Sequence, residues 1–105
     1  LDTEQEQTPG RLLNQLEQQN RLVTQQVEAE TDQALRWARA NMSTDPLGVE
    51  EALKLTLARV DHTPELRSEV RFQLREKLAS AIREGARVAM TKDIPDRQAE
   101  EARAA

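Results

Sequence analysis

The sequence predicts an all-α protein: a three-helix, up-down-up bundle whose first helix is too long for its partners. Three observations lead there. The stretch from Gly10 to Met42 runs thirty-three residues with no internal proline or glycine, and its apolar residues recur at helical spacing. Three of the four prolines, Pro9, Pro46 and Pro64, follow a residue suited to capping a helix (Thr8, Asp45, Thr63). Proline is tolerated at a first helical position because its missing N–H would have had no intrahelical partner. Aromatic residues, which favour sheets, are reduced to Trp37 and Phe72. The expected helices span about 9–42, 46–60 and 64–91, inside one domain over 9–92. Residues 1–8 read as a polar lead-in and 93–105 as a polar, Ala- and Glu-rich tail.

In the first helix, Leu12, Leu16, Val23, Val27, Ala34 and Ala38 form three pairs repeating every eleven residues. Eleven residues in three turns suits a straight or slightly right-handed packing seam, coiled-coil-like in character. A heptad frame through Leu13, Leu16, Val23, Val27, Ala34 and Trp37 fits less well, because it puts Asn20 and Glu30 in the seam. The short Asn41-Met42-Ser43-Thr44 connection turns the second helix back along the first. That helix carries the stripe Val49, Leu53, Leu57 and Val60, widened by Ala52 and Leu55. Asp61-His62 reverses the chain again. The third stripe runs through Leu66, Val70, Leu74, Leu78, Ala81 and Ile82 to Gly85 and Ala89, with Phe72 on its flank. A glycine inside a helix costs about 1 kcal/mol relative to alanine, so Gly85 is expected where a neighbouring backbone comes close.

Composition narrows the functional classes. Only 37% of the 105 residues are apolar and 32% are charged, so burial is confined to narrow stripes. With no cysteine, neither a disulfide framework nor a thiolate site is available. The apolar runs are too short for a membrane-spanning helix, so no membrane insertion is expected. The chain starts at Leu1 rather than Met, which reads as a piece of a longer protein or a processed form. Net charge is −4 but uneven. Residues 1–33 hold seven acids and two bases, whereas residues 63–92 hold seven bases and four acids. A basic helix beside an acidic one can complement internally, so this split does not announce nucleic acid.

No candidate for chemistry emerges. His62 is the only histidine and sits in a connection, where a capping role suits it better than catalysis or metal binding. Glu28 and Asp32 share a helix face, but the Glu-x-x-His pattern of bundle metal sites is missing. Arg67, Arg71 and Arg75 make a basic ridge, nearly continued by Arg83 and Arg87. Glu65, Glu69, Glu76 and Glu84 are interleaved with it, which favours an ion-paired solvent face over a phosphate track. Trp37 is expected to pack where the first two helices meet. The chain is therefore expected to be no enzyme, with no cofactor and no metal, and a nucleic-acid-binding helical arm ranks below the other binding readings.

Helix lengths point to the functional reading. At ~1.5 Å per residue the three helices measure roughly 50, 22 and 42 Å. The second then covers only the C-terminal half of the first. Leu12, Leu13, Leu16, Leu22, Val23 and Val27 are the expected partner-binding residues, used for homo-oligomerisation or for docking to another domain of a parent protein. The alternative is a helical sensor or ligand-binding domain that completes a four-helix bundle by dimerising.

Overall fold

The computed structural model describes the backbone of residues 9–104 and the side chains of residues 9–91. The expected lead-in, 1–8, lies outside the described residues. Three helices follow one another: α1 (Pro9–Asn41), α2 (Pro46–Asp61) and α3 (Ser68–Ala104). They form an all-α, up-down-up bundle with a long first helix, as the sequence predicts. Cross-helix contacts fix the directions. Arg59 near the end of α2 meets Glu30 of α1, and Asp61 meets Arg75 of α3. At the other end Gly85 of α3 faces both Met42, just past α1, and Val49 of α2. So α2 is antiparallel to both neighbours, and α1 and α3 run parallel.

The core is aliphatic. Val27, Leu35, Ala38 and Met42 pack with Val49, Leu53 and Val60 and with Leu66, Leu74, Leu78 and Ala81. On α1 and its exit, the buried residues Val27, Thr31, Leu35, Ala38 and Met42 are spaced four, four, three and four apart. This preserves the eleven-residue step (Val27 to Ala38, Thr31 to Met42), with more members than the sequence seam contained. Thr31 fits an apolar core because its hydroxyl donates to the Val27 carbonyl 2.8 Å away, leaving only the methyl to pack. The heptad alternative would have seated Trp37 inside. Trp37 is 42% exposed instead, since Ala38 takes the interior position beside it. Leu55, expected to widen the α2 stripe, is also exposed.

Both connections are capped. The Asp45 carboxylate accepts from the Gly48 N–H at 3.1 Å with Pro46 in the first turn, as its sequence pattern predicts. His62 ends α2: its backbone N–H donates to the Ala58 carbonyl at 2.9 Å, and its Nδ1 lies 2.8 Å from the same oxygen. The next turn departs from expectation. α3 starts at Ser68, four residues after Pro64, because the Thr63 hydroxyl donates backward to the Arg59 carbonyl rather than capping forward. Leu66 plugs the core from within the turn. Arg71 clasps it, donating through Nη2 to the Thr63 carbonyl at 2.7 Å and the Leu66 carbonyl at 3.5 Å. Hydrogen bonds to a charged donor contribute about 1.5–3 kcal/mol. Arg71→Met is therefore expected to lower stability by about 1.5 kcal/mol in urea denaturation. An unchanged midpoint would mean that Leu66 burial alone holds the turn.

Gly85 is also different from expectation. A methyl group added there would meet the Met42 Cε and Cγ at 3.8 Å and the Val49 Cγ1 at 3.9 Å, all side-chain atoms at ordinary contact distance. No backbone crowds it. Gly85→Ala should therefore keep the fold and recover part of the glycine cost, stabilising by about 0.5–1 kcal/mol. A rise of a few degrees in Tm would show this, and a fall would mean that the helices need a closer approach than the structure has. Past Gly85, α3 continues to Ala104, beyond the expected end near residue 91. The molecule is a rod of 89 × 19 × 15 Å.

Candidate association surface

The stagger of the helices produces this surface. α3 begins level with Thr24 of α1, where Glu65, Arg67 and Val70 border a cleft shared with Glu17, Asn20, Arg21 and Thr24. Before that level only the 64–67 turn approaches α1 among the described residues, and every residue from Pro9 to Leu22 is exposed. Leu12, Leu13, Leu16 and Leu22 show 49, 59, 54 and 67% of their surfaces.

The six residues expected to bind a partner divide into four groups. At 3.6 residues per turn, Leu12, Leu13, Leu16, Val23 and Val27 fall within an arc of roughly 100°. This is the side of α1 that is buried farther along. Leu12, Leu13 and Leu16 are its bare continuation. Val23 is half-buried against the edge of the core. Val27 is fully buried inside the chain's own core, so it has no surface left for a partner. The intramolecular core thus begins a turn earlier than helix lengths alone suggest, because the 64–67 turn reaches up beside α1. Leu22 is exposed but lies roughly 80° outside the arc, so it does not share the stripe.

A second apolar feature went unnoticed in the sequence. Between the start of α2 and the middle of α3 runs a groove of about 370 Å³, lined by Pro46, Val49, Leu53, Ile82, Gly85 and Ala89, with Leu47, Glu50 and Ala86 on its rim. The signal was the cluster of small residues Gly85, Ala86 and Ala89, which leaves α3 thin on that side.

Three ion pairs are formed among the described residues. Arg75 pairs with Asp61 and Arg59 with Glu30 (3.2 Å), both between helices, and Lys54 pairs with Glu50 within α2 (2.7 Å). The ion-paired face expected of the arginine ridge and its interleaved glutamates is replaced at two positions: Arg71 turns to carbonyls and Arg75 to α2. Exposed pairs of this kind contribute about 0–1 kcal/mol each. Among the described residues no group of three or more His, Asp or Glu side chains is placed to hold a metal ion. No helix among them is long and apolar enough to cross a membrane.

What the fold defines is an all-α three-helix bundle, staggered so that one apolar stripe is bare at its N-terminal end. No protein-family model, curated protein or solved structure matches the chain.

Proposed function

We propose that the chain is a non-catalytic association module whose uncovered α1 segment, through Leu12, Leu13 and Leu16, binds a second copy. One observation carries this reading: the stripe that is buried at Val27, Leu35 and Ala38 continues bare at three leucines. Full burial of a leucine contributes about 1.5–3 kcal/mol, so three side by side make a strong drive to be covered. A second copy is the occupant that needs no molecule beyond the chain itself, and identical chains are the commonest partners in symmetric assemblies.

Sedimentation equilibrium tests it. Wild-type protein at micromolar to hundred-micromolar concentration should exceed the monomer mass. The Leu12→Glu, Leu16→Glu double variant should stay monomeric with an unchanged helical circular-dichroism spectrum, because both side chains lie outside the core. A wild-type chain that remains monomeric throughout would overturn the proposal, as would a double variant that associates equally well.

A further inference from the structure

We propose that the α1 overhang completes its helix only as it associates, so that the binding stripe is assembled by binding itself. This rests on the self-association proposed above and concerns how that surface is regulated. From Pro9 to Leu22 every residue is exposed, and among the described residues only the 64–67 turn approaches the segment, at its C-terminal end. Little tertiary packing therefore holds it helical. Helices shorter than about 12–15 residues are marginal in water without such packing.

The segment's own chemistry does not make up the difference. Its first turn holds Arg11 and no acid, and a cation there opposes the positive end of the helix dipole. Gly10, Asn14 and Asn20 are weak helix formers. None of the three ion pairs formed among the described residues lies in it, although Glu17 and Arg21 stand four apart. Asp2, Glu4 and Glu6 precede the helix and lie outside the described residues. The bundle grips α1 from Val23 onward, so no new nucleus is needed. The helix winds back from there toward Pro9 one residue at a time, each step close to neutral in free energy.

Helix and stripe are linked. Leu12, Leu13 and Leu16 share one face only when the backbone is helical, and in an extended chain Leu12 and Leu13 point to opposite sides. A partner therefore selects the wound form, and the observed affinity is the affinity of that form multiplied by its population. Two positions report this population without touching the stripe. Asn14 and Gln18 are exposed, and each stands roughly 160° around the helix from Leu16. A helix-favouring or helix-breaking residue there alters association through the winding of the overhang. On an overhang already wound in the monomer, the same change leaves association as it was.

Sedimentation equilibrium and hydrogen exchange on full-length chains test this, with one variant carrying Asn14→Ala and Gln18→Ala and another carrying Asn14→Gly and Gln18→Gly. The alanine pair should associate roughly threefold more tightly than wild type and the glycine pair roughly tenfold more weakly. All three chains should melt together when dilute, because both positions lie outside the core. In dilute, monomeric wild type the amides of residues 13–22 should show less than about tenfold protection, far below those of Leu35 and Leu74. The monomeric Leu12→Glu, Leu16→Glu variant should share that exchange pattern and the spectrum of dilute wild type. Raising the wild-type concentration into the associating range should slow exchange across 13–22. Strong protection of 13–22 in the dilute monomer, or equal association of the alanine and glycine pairs, overturns the inference and leaves self-association standing. A wild type that stays monomeric at every concentration overturns both.

Discussion

Replacing Val27 with glutamate is expected to unfold the bundle, whereas the same change at Leu16, less than four turns earlier on α1, should leave the monomer intact. Val27 is fully buried among aliphatic residues, with no cation beside it in the core cluster. An unpaired carboxylate there either stays charged at a large desolvation cost or takes up a proton and remains a poorly satisfied polar group. Losses above about 4 kcal/mol are typical of such changes, and a small domain has only about 5–15 kcal/mol in total. Leu16 is 54% exposed, so its glutamate stays in water. The measurement is thermal unfolding by circular dichroism, at a concentration low enough to keep wild type monomeric. Val27→Glu should lose most of its cooperative transition, and Leu16→Glu should melt within a few degrees of wild type. Similar melting of the two would mean that the core does not begin at Val27.

Leu78→Ala has the second-largest expected effect. Leu78 is fully buried, at the centre of the α3 stripe between Leu74 and Ala81. Truncation removes the transfer energy of the side chain and leaves a cavity that helices of this stiffness fill only in part. Leucine-to-alanine changes in cores cost about 2–5 kcal/mol, and ~3 kcal/mol is expected here. In a domain of this size that lowers Tm by on the order of 15 °C. Leu55→Ala is the matched control, because Leu55 is 73% exposed. It should shift stability by no more than about 0.5 kcal/mol. Equal effects at the two positions would contradict the orientation of α2.

These positions also mark where sequence reasoning reached and where it stopped. Leu53, Leu74 and Leu78 were readable as core from periodicity because each sits mid-stripe, with apolar neighbours a turn away on both sides. Leu55 lies roughly 120° or more from Val49, Leu53 and Val60 around α2, well off the stripe, whereas Trp37 sits at a stripe edge, where a modest rotation decides between core and water. Periodicity does not resolve so small an angle. Thr31 was hidden for another reason: it counts as polar in a pattern, yet in a helix its hydroxyl is satisfied by its own backbone. The groove was out of reach because it is shaped by what α2 and α3 both leave unfilled.

By itself the sequence determined the class of fold, the number of helices, the caps at Asp45 and His62, and the length of α1, but not that of α3, which outruns it. All of these are local: they depend on propensity, on capping chemistry and on residue spacing along one segment. Only the tertiary structure decided how far the bundle climbs α1, since that depends on a turn forty residues later, where Thr63 bonds backward and Arg71 gathers the carbonyls. That turn places Val27 in the core and leaves Leu12, Leu13 and Leu16 bare. Burial is a relation between segments, and no single segment encodes it.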